Sequence, residues 1–415
     1  MKIRSLILKF LRKAALRLVR SSPLIKQLIR EMVYESHKGS TGKADLIAKK
    51  KYNDQLANEQ AGRCSPVNRA MPVRLTIETT RHCNLRCKMC QAHRSYEIKK
   101  KHTVDSAMPF ELFEKIAKDT FPTVREVNFT AIGEPLMTPY LKKALAIVKD
   151  YSVKLDTFTN MTILPDGVLQ QLVEVLSTLR VSFDASNKET FEEIRRGSNF
   201  DIVINNIKKF NKARMRLKKE SRPTLSFNVT LMRSNIEELP GIIRLAHDLG
   251  ADVVESGHII IFEKSLQQES LIYHKKLANE FMSKAIDEAH RLGVDIGRFP
   301  KLFMKDSQCS AKELSPASNG LYTPSMDTRI CDILWRESFI GSTGHVTPCC
   351  LPRRPVMGNI YQQPFEEIWN GEMYQAMRRN LNTRDRFECC EYCNRHIQST
   401  CTDRLEPAVL CFDKG

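Results

Sequence analysis

Val73-Arg74-Leu75-Thr76-Ile77-Glu78-Thr79-Thr80-Arg81-His82-Cys83-Asn84-Leu85-Arg86-Cys87-Lys88-Met89-Cys90 is the stretch on which the reading of this 415-residue chain turns. Val73–Thr79 is rich in β-favouring residues and reads as a strand. It runs straight into a loop whose three cysteines are spaced CxxxCxxC. Three thiolates in one short loop can ligate three corners of a [4Fe–4S] cluster and leave the fourth iron open. A structural zinc site asks for a fourth protein ligand. His82 or His93 can supply it, so the loop alone leaves both metals open.

Outward from this loop the pattern alternates. Strand-like runs fall at Arg125–Ala131, Val153–Thr159, Arg180–Asp184, Thr224–Leu231 and Val253–Ile261. Helical periodicity fills Pro109–Thr120, Pro139–Lys149, Val168–Ser177, Ile202–Leu217, Ile236–Leu249 and Leu271–Arg291. Six β-α repeats predict a parallel α/β sheet, either doubly wound or curved into a barrel. Chemistry in such folds sits at the carboxyl ends of the strands, where the cysteine loop lies. Residues 38–70 are polar and poor in pattern and read as a linker. The turn-rich stretch 300–330 marks a second boundary, so the expected division is 1–70, 71–300 and 301–415.

Composition narrows the class. With 42% hydrophobic residues the chain can bury a core, and it has no run of about 18 apolar residues to span a membrane. The net charge of +17 is concentrated: residues 1–30 hold nine Lys/Arg and no Asp/Glu, and residues 61–110 hold ten against three. Ile3, Leu6, Ile7, Phe10, Leu11, Ala14 and Leu18 share one helical face in that first segment. A basic amphipathic helix of this kind suits an anionic membrane surface or a docking partner. Lys9, Arg12 and Lys13 break the apolar stretch a signal peptide needs. The thirteen cysteines therefore read as cytoplasmic metal or redox groups, with peripheral contact at the inner face of the membrane through residues 1–30.

With these residues in view, the chain resembles the radical SAM superfamily over roughly residues 72–300. That resemblance implies a partial (β/α)6 TIM-type barrel. It also implies that Cys83, Cys87 and Cys90 hold a [4Fe–4S] cluster whose open iron binds S-adenosylmethionine (SAM). Ile132-Gly133-Glu134-Pro135 is similar to the family's Gly-Glu motif at the SAM amino group, with one Gly where two are common. Asn160 after the third strand, and Ser182 and Asp184 around the end of the fourth, match polar positions that hold the ribose or methionine portion. Glu193-Ile194-Arg195-Arg196-Gly197 is similar to the Ile-Arg-x-Gly segment, which would place Arg195 at the SAM carboxylate; an Arg fork suits that task. Asn228, Thr230 and His258 are weaker candidates, the histidine reading more simply as packed.

A second cysteine array, Cys331-(x12)-Gly344-(x4)-Cys349 followed by Cys389-Cys390-Glu391-Tyr392-Cys393, resembles the C-terminal SPASM/Twitch cluster domain. The resemblance implies an auxiliary [4Fe–4S] cluster on Cys331, Cys349, Cys390 and Cys393. Cys350 and Cys389 adjoin two of these, so the choice within each pair stays open, as does a four-cysteine zinc site. Ser399 stands where the full seven-cysteine pattern has a further ligand, which favours the shorter, one-cluster arrangement.

The expected activity is reductive cleavage of SAM to a 5′-deoxyadenosyl radical, which abstracts hydrogen from a small, sugar- or cyclitol-like, lipid-linked or free substrate. An auxiliary cluster suits a net oxidation. A flavodoxin- or ferredoxin-like protein is the expected electron donor. The alternative is a peptide maturase. More remote is a zinc-containing nucleic-acid-binding protein; Tyr96 is the one aromatic among the basic residues 81–101, too few for a stacking platform.

Overall fold

The computed structural model describes residues 42–90, 107–303 except 262, 331–350, and 354–391 except 382 and 384. The expected helix within residues 1–30, the membrane contact assigned to it, and Cys393 lie outside the described residues.

Strands β1 (Arg74–Ile77), β2 (Glu126–Asn128), β3 (Lys154–Thr159), β4 (Leu176–Ser182), β5 (Thr224–Leu231) and β6 (Val253–His258) are parallel and stand side by side in chain order. Parallel neighbours need a crossover. Here each crossover leads to the adjacent strand, so the sheet is singly wound in the manner of a barrel. A doubly wound sheet would reverse its order. The first strand pairs with β2 and with a later strand but not with β6, so the barrel is open.

Helices α1 (Lys43–Gly62), α2 (Phe110–Thr120), α3 (Leu141–Asp150), α4 (Leu169–Val175), α5 (Lys188–Ile194), α6 (Phe200–Arg214), α7 (Leu239–Asp248) and α8 (Lys275–Leu292) accompany the strands. The side chains of Asn187 and Asn199 accept N–H bonds from Thr190 and Ile202, which starts α5 and α6. Gly293, at φ 69°, ends α8 in the left-handed conformation. One face of the sheet (Leu75, Val127, Leu155, Leu179, Leu225, Val254) is buried in the main core with the helices. Phe183, Phe191, Phe200 and Phe227 knit α5 and α6 to β4 and β5, with ring centroids 4.7–5.9 Å apart.

Three expectations give way. The presumed linker contains α1, a 20-residue helix. Its sequence hides it because polar contacts dock it more than an apolar stripe does. Lys50, 5% exposed, donates to the carbonyls of Phe121 and Val124 beyond the C-terminus of α2, and Asn53 exchanges two bonds with the Met71 backbone. Leu176 and Ser177, expected to finish a helix, begin β4 directly after α4, because Leu176 pairs with Leu155 and Ser177 Oγ donates to Glu126 and to Leu155 O, which claims their segment for the sheet. The run 125–131 shortens to β2, since the Asn128 side chain accepts from Thr130 N and turns the chain.

Beyond residue 330 the chain forms α9 (Ile333–Arg336), β7 (Glu337–Ile340), β8 (His345–Thr347), β9 (Gly358–Asn359), α10 (Phe365–Trp369), α11 (Glu372–Asn380) and α12 (Glu388–Glu391). The strand β7 pairs in parallel with β1, Arg74 opposite Glu337, and β8 and β9 follow antiparallel, giving one nine-stranded sheet. The segment between α1 and β1 is strapped to this addition. Trp335 Nε1 donates to Ser65 O and Trp369 Nε1 to Ala70 O, both at 2.7 Å, and Val73 N donates to Arg336 O. Both tryptophans are fully buried, each contributing on the order of 4 kcal/mol of transfer free energy. Among the described residues no helix is long and apolar enough to cross a membrane.

Candidate functional site

The cysteine loop leaves β1 at the carboxyl end of the sheet and is tied down on three sides. Arg86 N donates to Arg196 O and Lys88 N to Ile194 O, both at 2.8 Å, so the segment after α5 forms its floor. Met89 packs on Ile194, Met232, Ile259, Ile261 and Leu266, which explains an apolar residue before the last cysteine. Lys88 Nζ reaches Glu269 at 2.6 Å and fastens the loop to the turn after β6.

Gly133 forms the second tie. A Cβ there would sit 2.8 Å from His82 O and closer still to Thr80 O. The next residue, Glu134, donates its N–H to His82 O at 2.7 Å. Gly133→Ala is expected to push the cysteine loop off the barrel at a cost of about 1–3 kcal/mol. The check is iron retained per chain together with Tm; full iron loading at an unchanged Tm would refute it.

Glu134 is 3% exposed and its carboxylate is shared among neighbours. Oε1 accepts from Leu136 N and Thr159 Oγ1, and Oε2 accepts from Asn160 N at 2.7 Å. The side chain thus binds the loop after β2 to the end of β3; burial raises its pKa against these bonds. Asn160 extends the tie: Nδ2 donates to Asn84 Oδ1 at 3.0 Å and lies 3.8 Å from Cys83 Sγ. Sequence reasoning missed Asn84 and Thr162, which close this ring of bonds; short polar residues in turns carry no distinguishing periodicity.

Arg195 and Asp184 form the third element. The guanidinium is 7% exposed, pairs with Asp184 at 2.5 Å, and stands 3.9 Å from Cys87 Sγ. Asp184 is fully buried and its Oδ1 accepts from Thr230 N. Burial holds this carboxyl above the usual range, with the Arg195 charge pulling the other way. Ser182 ends β4 opposite Asn228 of β5, and no side-chain hydrogen bond links it to the cysteine loop among the described residues. The structure therefore gathers Cys83, Gly133, Glu134 and Asn160 on one side of the loop, and Cys87, Asp184 and Arg195 on the other.

The strand face opposite the helix core carries charge. Arg74 pairs with Glu126 and lies 3.7 Å from Asp156; Arg180 pairs with Asp156 and, at 2.7 Å, with Glu255. The Arg180 guanidinium also lies over the Phe158 ring at 5.5 Å. This network links β1, β2, β3, β4 and β6 across the concave side. His258 points to the other face, beside Phe303 at 5.2 Å, and neither ring nitrogen has a hydrogen-bond partner. Burial lowers its pKa to about 4 from 6.5. The neutral ring is thus favoured in the fold, and its stabilising effect is complete above pH 6.5 and lost as pH falls toward 4. Urea titrations at pH 7 and 4.5 should show a loss of about 2–3 kcal/mol that His258→Phe reduces; equal pH slopes in the two proteins would contradict this.

In the C-terminal part, Cys349, Cys389 and Cys390 are buried, Cys331 is half-buried and Cys350 is exposed. The free thiol of Cys389 is hydrogen-bonded with Cys349 and Cys390; the first contact lowers its pKa, but the second and burial carry it to about 12. The burial contrast favours Cys349 over Cys350, whereas Cys389 and Cys390 both face the interior.

A family model described as the radical SAM superfamily matches residues 77–246, and one described as an iron–sulfur cluster-binding domain, SPASM, matches residues 331–395. The chain belongs to the radical SAM superfamily and carries the C-terminal SPASM domain. It is 25% identical over 334 residues to the tungsten-containing aldehyde ferredoxin oxidoreductase cofactor-modifying protein of Pyrococcus furiosus, covering 73% of this chain and 82% of that one. It is 24% identical over 363 residues to the AdoMet-dependent heme synthase of Methanosarcina barkeri, covering 82% and 96%. Among solved structures, Streptococcus suis SuiB bound to precursor peptide SuiA shares the fold with a TM-score of 0.53 at 16% identity, covering 78% of this chain and 70% of SuiB.

The cofactors of this class are [4Fe–4S] clusters and SAM. The residues present fit them. Among the described residues no three His, Cys, Asp or Glu side chains already share a metal-sized point, but donors for thiolates are in place. Leu85 N and Asn160 Nδ2 lie 3.5 and 3.8 Å from Cys83 Sγ. The buried Nε of Arg195 has no hydrogen-bond partner, on a guanidinium whose Nη1 stands 3.9 Å from Cys87 Sγ. Burial pushes the Cys87 thiol up to about 11, so binding of iron, which needs thiolates, releases protons.

Proposed function

We propose that this enzyme reductively cleaves SAM and uses the resulting 5′-deoxyadenosyl radical to take hydrogen from a small polar substrate, with net oxidation assisted by the SPASM cluster. When bound, the cluster and SAM supply the electron and the radical. The chain's part is to position them. Cys83, Cys87 and Cys90 would hold the first cluster, with Asn160 and Arg195 offering hydrogen bonds to Cys83 and Cys87. Gly133 lets the loop after β2 pack directly on the backbone of the cysteine loop, and Glu134 locks the loop after β2 to β3. Cys331, Cys349, one of Cys389 and Cys390, and Cys393 would hold the second.

For substrate size, the observation that carries the reading is the ion network Arg74–Glu126–Asp156–Arg180–Glu255. It spans the concave side with fixed charges. A small hydroxylated or charged molecule can bond to such a floor, whereas a long peptide would have to bind above it. A peptide substrate is the second reading, supported by the fold shared with peptide-bound SuiB. A flavodoxin- or ferredoxin-like protein would deliver electrons.

The test is anaerobic reconstitution, iron and sulfide analysis, and 5′-deoxyadenosine assay with dithionite. Deuterated low-molecular-mass and peptide fractions of a cell extract are then compared for label transfer into 5′-deoxyadenosine. Label from the small-molecule fraction supports the first reading, and label from peptides alone supports the second. Zinc without iron would remove both.

A further inference from the structure

Glu78 stands at the seam between the barrel and the C-terminal part. It follows β1 directly, and its backbone N–H donates to the carbonyl of Ile340, the last residue of β7, at 2.9 Å. The residue is 3% exposed. One carboxylate oxygen, Oε2, gathers three donors: Arg81 Nε at 2.7 Å, Ser342 N at 3.0 Å and Ser342 Oγ at 3.1 Å. Ser342 is itself buried, in the turn between β7 and β8. Bonds to an ionised acceptor are stronger than neutral ones, and an enclosed carboxylate is costly without them.

The donors come from two distant parts of the chain. Arg81 lies in the lead-in to the cysteine loop, two residues before Cys83. Its backbone is confined from another side as well, because a Cβ on Gly133 would sit 2.8 Å from Arg81 C. His82 is held too: its N–H donates to Thr80 Oγ1 at 3.1 Å, and its carbonyl accepts from Glu134 N at 2.7 Å. The path of the chain into Cys83 is thus set by Gly133 and Glu134 from one direction and by Glu78 from another. Ser342 belongs to the hairpin whose second strand, β8, leads to Cys349. Its turn is closed by its own bonds. Gly341 N donates to His345 O, and Gly344, at φ 79°, donates to Gly341 O, both at 2.9 Å.

We propose that Glu78 is a positioning residue that couples the C-terminal hairpin to the cysteine loop, so that the seating of Cys83, Cys87 and Cys90 depends on Ser342. The warrant is a contiguous chain of bonds from the hairpin turn through one oxygen to Arg81. Glu78 acts through Arg81 and not on a cysteine. The coupling goes beyond the reading of the reaction and holds whatever the loop ligates.

The experiment is hydrogen–deuterium exchange with mass spectrometry on the full chain, freed of metal by a chelator so that no bound ion masks the loop. Two peptides are compared, one covering residues 79–90 and one covering α7, which shares none of these bonds. Ser342→Ala removes one bond to the carboxylate and should speed exchange in 79–90 by about tenfold, the size expected for a hydrogen bond to a charged group. Exchange in α7 should keep the parent rate. Glu78→Ala removes all three bonds and should speed the loop at least as much. Adding Ser342→Ala to it should then change nothing further, because the two substitutions share one interaction. A loop at the parent rate in Ser342→Ala overturns the proposal, as does equal acceleration of α7 or additivity in the double variant. If Glu78→Ala does not fold, Ser342→Ala decides alone by the same two peptides. Failure of the parent protein to bind iron would defeat the proposed reaction and leave this result standing.

Discussion

Cys87→Ala is expected to abolish reductant-dependent 5′-deoxyadenosine formation, down to the level of protein-free controls, while the fold survives. The middle cysteine of CxxxCxxC has no substitute within the loop: Asn84, Leu85, Arg86, Lys88 and Met89 carry no thiol to replace its thiolate. If the three loop cysteines hold the cluster as proposed, losing one of them would remove its seat, and with it the site that orders SAM. Stability should change little by comparison, because the loop is held by Arg86 N to Arg196 O, Lys88 N to Ile194 O and the Lys88–Glu269 pair. The measurement is 5′-deoxyadenosine by chromatography alongside a thermal melt. Product at the unsubstituted level in Cys87→Ala would end the radical assignment of this loop.

Asp184→Asn carries the second large effect. Asp184 and Arg195 are buried partners 2.5 Å apart. Removing one charge of a buried pair leaves the other uncompensated, at a cost of about 3–5 kcal/mol. The damage reaches the site, since Arg195 belongs to the floor on which Arg86 and Lys88 rest, and its Nη1 faces Cys87 Sγ. Urea denaturation should therefore show the full destabilisation, and reconstituted protein should hold less iron at the first site. Adding Arg195→Met should recover part of the stability but not the iron, because the two changes share one interaction. A loss under about 1 kcal/mol for Asp184→Asn would show that the pair is not the support described here.

Much of the barrel was legible because its signals are local. Strands such as Thr224–Leu231 alternate or run apolar over a few residues, and helices such as α7 repeat apolar positions at helical spacing. The cysteine spacing is local too. What stayed hidden depends on distant partners. α1 is docked by Lys50, Asn53 and Asp54 reaching residues 71–125 and Arg336, so no apolar stripe announces it. Glu78 reads as an ordinary strand-end residue, yet its Oε2 accepts from Arg81 Nε and from Ser342, 264 residues away. Arg378 gave one faint signal, a cation on the same helical face as Tyr374 and Met377, both buried.

The amino-acid sequence by itself determined a metal-ligating loop, because ligation depends on residue type at short spacing and CxxxCxxC supplies three thiols within one loop, and the family resemblance of that loop pointed to iron–sulfur chemistry. It also determined the six β-α repeats that put this loop at a strand's carboxyl end. Only the tertiary structure decided that β7 extends the barrel sheet beside β1, that Glu134 serves as a tie between β2 and β3, and that Asp184, Arg195 and Arg378 are charges enclosed in protein. Those features arise from burial and from pairings across tens to hundreds of residues, where a polar side chain's role follows from what surrounds it.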